Sequence, residues 1–400
     1  MASTEIQDGI VVTSTPITLG DGSSATLINV PIVTTSRVGT AQDPRFASIK
    51  IDNGIDLLYV GQGLDAISTG LHTPAQAKAT LNALLDATST VHGRDEKAYI
   101  NTYTQKYLNT LAVDSQVYVT SYKPKYDGTV YERQASIGAA TIKDLVLVDL
   151  SATPATVDTA IGATFALVVG AGHVQLRGSQ HVVIGDDASQ TFYDNSRGGT
   201  VYGGGGNDTL ILDSFMNRLD QYFHGGKGDD TLDVQGFMPE SQIQQHAGYV
   251  TFTVSTFNTM TLVNVEHIKT SNGIIDIKAT TEQTAIATLY DHILGRQPDL
   301  AGFGYWDGQV KAGQSLGQIA VTMTRSLESG NTLFNGNTSH DLDTLYNVIL
   351  NRPTDAVGKA YWSAQIDQGH QTLEQVAQGF VTSNELVAQY MPQSSWDFLV

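Results

Sequence analysis

The octapeptide GGGGNDTL at Gly203–Leu210 recurs as GGKGDDTL at Gly225–Leu232. Both copies fit the nonapeptide pattern G-G-x-G-x-D-x-U-x, in which U is a large apolar residue. Glycine permits backbone conformations with positive φ, so a tight turn can direct its carbonyl oxygens toward one point. The aspartate adds a carboxylate there, and oxygen donors without nitrogen or sulfur suit a hard cation, Ca²⁺ above all. The two copies therefore predict a repeated metal-binding loop.

Apolar residues continue the same frame upstream of the loops. Counting back in nines from Leu210 gives only apolar residues: Val201, Phe192, Val183, Val174 and Phe165. In a chain that is 41% hydrophobic, six such positions in succession have a low chance of arising by coincidence. We therefore predict a ladder of about six short strands, of which only the last keep the metal-binding loop.

The loops and their frame resemble the RTX (repeat-in-toxin) parallel β-roll of bacterial proteins exported by type I secretion. The resemblance implies that two nonapeptides make one full turn, so that stacked loops are about eighteen residues apart. Because Gly203 and Gly225 are 22 apart, we expect four inserted residues in the opposite loop, within Leu212–His224. The resemblance places the best calcium site between the two loops, with these residues as its ligand set: Gly203, Gly204, Gly206, Asp208, Gly225, Gly226, Gly228 and Asp230.

A second ion is expected between Gly203–Asp208 and the degenerate upstream loop Gly185–Gln190, to which Asp186 and Asp187 would contribute. Gln190 stands there in place of the expected aspartate, which leaves the ligand set incomplete. Loops on the other side of the roll, such as Asp194–Gly199, are too degenerate to predict a metal site.

Composition limits the class of protein and its partners. The 400 residues predict two or three domains. The formal net charge is −18, from 40 acidic against 22 basic residues. The lack of a basic patch argues against nucleic acid or an anionic membrane as the main partner. Such an acidic chain repels itself until cations arrive, and without cysteine its stability depends on core and metal rather than disulfides.

The two ends of the chain predict a route of export. Met1–Ile6 begins no signal peptide, and no apolar stretch approaches the roughly 20 residues of a membrane helix. The ending WDFLV at Trp396–Val400 places an acid before three apolar residues and resembles the C-terminal signal of type I secretion substrates. We therefore expect a secretion tail at 391–400, the type I machinery as a partner, and an extracellular or cell-surface location.

Residues 1–150 predict a mixed α+β domain without a recognisable functional motif. Hairpins are expected around Gly20–Ser24 and Asp52–Gly54, and helices from Thr73 and over about Arg94–Leu111. The second helix carries tyrosines four residues apart: Tyr99, Tyr103 and Tyr107. This tyrosine stripe has two interpretations, a packed core face or a sugar-binding face, of which the first is favoured.

The sequence predicts no catalytic site. It contains neither H-E-x-x-H nor G-x-S-x-G, so the protease and lipase that often precede RTX rolls are not expected. Four histidines have no metal-like spacing: His72, His92, His173 and His181. Leu262–Ile268 resembles the strands that close RTX rolls, and we favour this role over a catalytic one for Glu266. The roll with its closing strands is expected over 151–278.

Residues 279–390 contain an internal repeat. Leu289–Arg296 matches Leu345–Arg352 at a spacing of 56, and the match continues through an Arg-x-(x)-Asp-x-x-Gly turn and a Tyr-Trp pair. The repeats predict an all-α region and resemble a small domain of unknown function found in many secreted bacterial proteins. The repeated Arg, Asp and Trp could form a ligand pocket, but ion pairing of the arginines and core packing of Trp are favoured.

These features favour a secreted, calcium-binding structural protein of the bacterial surface, such as a surface-layer subunit or biofilm component, that folds and self-associates on calcium binding outside the cell. Two alternatives stay open. One is an adhesin or carbohydrate-binding protein that recognises a surface glycan or lipopolysaccharide. The other is a secreted hydrolase whose catalytic unit lies in residues 1–150.

Overall fold

The structure is a computed structural model. It describes residues 1–31, 46–51, 55–60, 63–126, 135–137, 144–153, 158–178, 180–195, 198–212, 220–236, 243–255, 258–326, 328–329 and 333–396. The chain divides into two compact units. The first comprises Met1–Gln244 and Thr251–Asp276, and the second Gln245–Val250 and Ile277–Val400. Within the described residues, no helix is long and apolar enough to cross a membrane.

The first 276 residues contain strands and two helices. The strands are β1 (Ser3–Gln7), β2 (Ile10–Thr18), β3 (Ser24–Val30), β4 (Phe46–Ile51), β5 (Ile55–Val60), β6 (Leu64–His72), β7 (Val117–Pro124), β8 (Ala135–Ile137), β9 (Leu145–Asp149), β10 (Asp158–Ile161), β11 (Phe165–Val169), β12 (Gly172–Leu176), β13 (His181–Ile184), β14 (Gln190–Asp194), β15 (Gly199–Gly205), β16 (Thr209–Leu212), β17 (Gln221–Lys227), β18 (Thr231–Asp233), β19 (Ile243–Gln245), β20 (Tyr249–Ser255), β21 (Asn258–Val263), β22 (His267–Thr270) and β23 (Gly273–Asp276). The helices are α1 (Pro74–Asp86) and α2 (Arg94–Leu108).

Two sheets form the faces of a parallel β-solenoid in the first unit. One sheet runs β7-β9-β11-β13-β15-β17-β21 and the other β8-β10-β12-β14-β16-β18-β22, each with parallel pairing. Successive strands alternate between the sheets, as a frame of nine residues per strand requires. The predicted frame is confirmed, because Phe165, Val174, Val183, Phe192, Val201 and Leu210 are all buried.

Antiparallel strands extend the solenoid sheets at their N-terminal end. The first sheet begins β1-β2-β3-β6-β7, and β4 and β5 pair in antiparallel fashion before β8 in the second. The hairpin predicted around Gly20–Ser24 is confirmed by β2 and β3. The turn Asp52–Gly54 lies outside the described residues, although β4 and β5 on either side of it pair as expected. The domain boundary at residue 150 stays a prediction. Both sheets contain strands from before and after this residue.

The tyrosine stripe of α2 lies against the solenoid. Tyr99, Tyr103 and Tyr107 are 8%, 0% and 7% exposed, and Tyr103 stacks on Tyr202 of β15 with ring centroids 3.8 Å apart. Tyr107 lies 4.9 Å from the ring of Phe165. The packing interpretation is therefore confirmed, and the stripe offers no surface to a glycan.

The end of the solenoid is covered as predicted. β21 pairs with β17, β22 with β18, and β23 folds back antiparallel on β22. The sequence Leu262–Ile268 thus supplies one more strand to each sheet and covers the edges that the last repeat would leave open.

From Ile277 onward, the second unit is helical and consists of two repeats. Its helices are α3 (Thr281–Leu289), α4 (Leu300–Lys311), α5 (Leu316–Thr324), α6 (Thr338–Leu350), α7 (Ala356–Asp367), α8 (Leu373–Val381) and α9 (Asn384–Val387); a π-helical turn covers Tyr290–Leu294 and a 3₁₀ turn Gln393–Ser395. Part of the predicted secretion tail is described here: Trp396 is buried and packs 5.4 Å from Phe303. Residues 397–400 lie outside the described part.

Three positions that recur in both copies of the repeat, Arg296, Asp299 and Gly302, have structural roles within the first copy. Arg296 forms a two-pronged ion pair with Glu328 and also contacts Asp299 at 3.2 Å. Asp299 caps α4 by accepting from the Gly302 N–H at 2.8 Å. A side chain at residue 302 would strike the Tyr290 hydroxyl, which explains the glycine.

The second copy repeats these contacts. Arg352 pairs with Glu385, Asp355 caps α7 through the Gly358 N–H at 2.7 Å, and the Tyr346 hydroxyl fills the space beside Gly358. Both arginines lie within ion pairs, so the predicted pairing of Arg296 and Arg352 with local carboxylates is confirmed.

Candidate metal centre

The two glycine loops stack directly on each other. β15 and β17 are in register with Gly204 opposite Gly226, and β16 and β18 with Leu210 opposite Leu232. The offset along the chain is therefore 22 residues, as the sequence indicates, against eighteen for the preceding pair of strands, in which Thr191 is opposite Thr209. The registers place the four extra residues between β16 and β17, and most of Leu212–His224 lies outside the described part.

Glycine is required by the closeness of this stacking. Gly204 and Gly226 have φ values of +106° and +103°, in the region that side chains disfavour. A methyl group on Gly226 would stand 1.9 Å from the Gly204 carbonyl oxygen, and one on Gly228 would stand 1.7 Å from that of Gly206. The glycines of the pattern therefore let successive turns approach one another.

The sixth positions of the loops form a column of carboxylates. Asp208 accepts a hydrogen bond from the backbone N–H of Gln190 at 2.7 Å, and Asp230 accepts one from the N–H of Asp208 at 2.7 Å. Glu266 continues the column, because it accepts from the N–H of Asp230 at 2.9 Å. Each carboxylate thus uses one oxygen to hold the preceding turn.

The other oxygen of each carboxylate is buried and makes no hydrogen bond to the described residues. This applies to Asp208 Oδ2, Asp230 Oδ2 and Glu266 Oε1, and both aspartates are 0% exposed. An unsatisfied buried carboxylate oxygen costs free energy unless a donor or a cation meets it. The column therefore presents acceptors that a hydrogen-bond donor or a cation would satisfy.

Backbone carbonyls converge on the same oxygens. A Cβ atom placed on Gly203 would lie 2.3 Å from both Asp208 Oδ2 and the Gly225 carbonyl oxygen. These two oxygens are therefore at most twice that distance apart, which is within the span of two ligands of one Ca²⁺ ion with bonds of ~2.3–2.6 Å. Of the predicted first site, Asp208 and the Gly225 carbonyl fit a hard divalent cation by position and donor type, whereas the other six residues stay a prediction.

Burial raises the pKa of all three acids in the column. Burial raises the pKa of Asp230 to about 8, and the Glu266 and Asp229 carboxylates add to the rise. Burial and the adjacent Asp230 hold the pKa of Asp208 well above its usual range. Burial likewise raises the pKa of Glu266 to about 7. Without a cation, Asp230 therefore favours its protonated form at pH 7.

The degenerate loop Gly185–Gln190 has a different arrangement. Beside Gly185, the Gly203 carbonyl converges with Gln190 Oε1, an uncharged oxygen, where the other loop has a carboxylate. The Gln190 amide nitrogen donates to the Gly170 carbonyl at 3.3 Å and to the Asp186 carboxylate. Asp186 also accepts from the N–H groups of Gly170 and Ala188, and Asp187 is exposed. A second ion at this loop stays a prediction.

Asp186 belongs to a second group that the sequence did not indicate. Nitrogen or oxygen atoms of His92, Glu96 and Asp186 lie within 4.8 Å of one another, and all three residues are buried. His92 Nδ1 contacts Glu96 Oε1 at 2.7 Å, and Glu96 accepts from the Gly93 N–H at 2.9 Å and from the Asp187 N–H at 3.3 Å. The start of α2 is thereby fixed to the degenerate loop through hydrogen bonds.

The structure thus brings together the eight loop residues of the first site and places Asp186 and Asp187 in other contacts. Sequence reasoning missed Glu266 and Asn264 as neighbours of the column, because the closing segment does not follow the nonapeptide pattern. It also missed Glu96, which carries no motif. A register count from β21 and β22 would have been needed to find the first two.

Comparison with known proteins adds one family. Residues 276–333 and 335–390 each match the family model described as a domain of unknown function, DUF4214. The two matches coincide with the two helical repeats and confirm the resemblance predicted for them. No curated protein and no solved structure matches the chain.

Proposed function

We propose that this chain is a secreted, calcium-binding structural protein of the bacterial surface, which becomes ordered and self-associates when calcium binds outside the cell. The single observation that carries the proposal is a pair of buried oxygens in directly stacked glycine turns, Asp208 Oδ2 and Asp230 Oδ2, for which the described residues supply no hydrogen-bond donor. The resemblance to RTX rolls agrees with it.

Calcium suits this site better than other cations. The candidate donors are carboxylate and carbonyl oxygens, which hard cations prefer, whereas zinc and copper sites draw on nitrogen and sulfur. The donors also belong to closely stacked backbone turns, and Mg²⁺ usually keeps several of its waters and binds through one or two carboxylates rather than in all-protein cages. The ligand set that we propose includes Asp208, Asp230 and the carbonyl of Gly225.

The proposed calcium dependence of folding follows from the acidic residues of the column and from the net charge of the chain. When ionised, Asp208 and Asp230 repel each other inside a buried column, and the net charge of −18 adds a general repulsion. Extracellular modules bind calcium with Kd of ~10⁻⁴–10⁻³ M, far above the free concentration in a bacterial cytosol. The loops would therefore stay empty in the cell, and binding free energy would become folding free energy outside it.

A structural role is favoured over the alternatives by two observations. The tyrosine stripe that could have bound glycan is buried against the solenoid, which removes the adhesin alternative's main candidate surface. The sequence contains neither of the catalytic signatures that accompany RTX rolls in proteases and lipases. Tandem helical repeats and a solenoid are both architectures that present extended surfaces for association.

The test is assembly of the full chain with and without calcium. Protein prepared in chelator is brought to about 10⁻³ M Ca²⁺, or to the same Mg²⁺ concentration, and imaged by negative-stain electron microscopy. We expect sheets or filaments in calcium alone, and none from the double variant Asp208→Asn, Asp230→Asn. Monomers that persist in calcium, or assemblies that form equally in chelator, would refute the proposal.

A further inference from the structure

The closing segment after the last repeat reproduces the geometry of the glycine loops. Asn264 is the residue that follows Val263, which lies opposite His224, so Asn264 is stacked on Gly225. His267 is opposite Thr231, so Glu266 is stacked on Asp230. A turn of three residues, Asn264–Glu266, therefore covers the same span as the six residues Gly225–Asp230.

Asn264 allows this shorter turn. Its φ is +47°, a left-handed conformation that asparagine tolerates better than most residues other than glycine. The turn is held to the loop below it by hydrogen bonds from the N–H groups of Glu266 and His267 to the Asp230 carbonyl, at 3.1 and 3.0 Å. The N–H of Asp230 donates in return to Glu266 Oε2 at 2.9 Å.

Oxygens converge beside Gly225 as they do beside Gly203. The point where a side chain on Gly225 would begin lies 2.3 Å from Asp230 Oδ2 and 2.1 Å from the Asn264 carbonyl oxygen. Asp230 is 0% exposed, and its Oδ2 makes no hydrogen bond to the described residues. Glu266 Oε1 is likewise buried and makes no hydrogen bond to the described residues.

We infer that Asp230, Asn264 and Glu266 form a second calcium site, between the last glycine loop and the closing turn. Its donors are one oxygen from each of the Asp230 and Glu266 carboxylates and the Asn264 carbonyl. Asp230 is then shared: its Oδ2 lies beside Gly225 in this site, whereas its Oδ1 reaches the turn below, where it also accepts from the Asp208 N–H. The inference rests on the proposed function, since it assigns a further ion to the same column.

The site differs from the degenerate upstream loop in charge. Between the loop and the closing turn two carboxylates contribute, whereas beside Gly185 the oxygen in the equivalent place belongs to the uncharged Gln190. Because calcium affinity depends on the number of charged ligands, the ion at the closing turn is expected to bind more tightly than one at the degenerate loop. We therefore expect the column to bind two calcium ions, one between the two glycine loops and one at the closing turn.

The test counts bound ions in the full-length protein. Calcium is titrated into chelator-treated protein by isothermal calorimetry, and the bound ions are counted by native mass spectrometry. Glu266→Gln keeps an acceptor for the Asp230 N–H but removes the charge. We expect it to lose one ion, or to weaken one site by at least ~10-fold, the effect of removing even an outer-shell partner. Asp230→Asn, which affects both sites, should lose two.

A control variant and two contrary outcomes distinguish failure of this inference from failure of the proposed function on which it rests. Glu5→Gln removes the same charge at an exposed position of β1 and should bind as the unmodified chain does. Unchanged ion number and affinity in Glu266→Gln, with calcium still bound, would overturn the second site alone. No calcium bound by the unmodified chain would overturn both.

Discussion

The backbone N–H of Asp208 donates to the carboxylate of Asp230, 22 residues later in the chain, at 2.7 Å. The bond joins two stacked turns through the side chain that also carries the proposed metal ligand. The position of each carboxylate therefore depends on the turn below it, so that the loops and the solenoid strands form one cooperative element.

Replacing Gly203 by alanine should abolish the calcium response. The added methyl group would lie 2.3 Å from Asp208 Oδ2 and from the Gly225 carbonyl, in the space where the donors converge. We expect the calcium-induced rise in melting temperature to be lost or greatly reduced, as followed by calorimetry in a calcium titration. Gly20→Ala is the control, because no atom lies within 4 Å of its new methyl group; an equal loss in both variants would contradict the assignment.

The ion-free protein should become less stable as the pH rises from 6 to 8. The pKa of Asp230 in the folded protein is about 8, above the ~3.9 of an unfolded aspartate, so the fold without calcium binds a proton that the unfolded chain releases. That contribution is fully present below the unfolded pKa and is lost as the pH passes through about 8. In chelator, we expect a loss on the order of 1–2 kcal/mol between pH 6 and 8.

Calcium should reverse this dependence, because the bound ion requires the ionised carboxylates. Calcium affinity should thus increase over the same pH range, with release of protons that calorimetry in buffers of different ionisation enthalpy can measure. Asp230→Asn, which cannot titrate, should show a flatter pH profile in chelator. A stability in chelator that increases from pH 6 to 8 would be the contrary result.

Tyr103→Ala should destabilise the first unit by about 3–5 kcal/mol, the usual cost of truncating a fully buried aromatic side chain. Tyr103 is 0% exposed and stacks on Tyr202, so the change leaves a cavity between α2 and the solenoid. Urea denaturation followed by circular dichroism measures the change in the free energy of unfolding. Tyr305→Ala, at a tyrosine that is 57% exposed in α4, is the matched control and should change stability by less than ~0.5 kcal/mol.

Gly302→Ala should destabilise the helical unit by about 1–3 kcal/mol through overpacking against the Tyr290 hydroxyl, which would lie 2.3 Å from the new methyl group. Adding Tyr290→Phe removes that hydroxyl and should restore most of the loss. In the same helix, Gly304 has open space, and Gly304→Ala should stabilise by ~0.5–1 kcal/mol. Equal effects at 302 and 304, measured by thermal unfolding in calcium, would contradict this explanation.

The sequence predicted the parts of the fold whose pattern repeats. The nine-residue frame identified the inward-facing Phe192, Val201 and Leu210 because alternate solenoid strands impose a fixed period. Likewise, the spacing of 56 identified the two helical units. Both depend on local rules that recur, and a period remains visible even where individual loops have diverged.

Contacts between different elements could not be read in this way. Nothing in the spacing of residues 1–150 shows that their strands extend the solenoid sheets or that Tyr103 reaches Tyr202. The closing turn was recognised as a cover but not as part of the candidate site, because Glu266 reaches Asp230 from a turn half as long as the repeat's own. Register, which is a tertiary property, decides these contacts.

The most direct measurement is differential scanning calorimetry of the full-length protein in about 10⁻³ M calcium and in chelator at the same ionic strength. Binding to the folded state alone raises stability by ~2.7 kcal/mol at a calcium concentration one hundred times Kd, so the unfolding transition of the first unit should move up by several degrees. The shift should be absent when both Asp208 and Asp230 are replaced by asparagine. An unfolding temperature that is the same in calcium and in chelator would show that no cation stabilises the stacked turns.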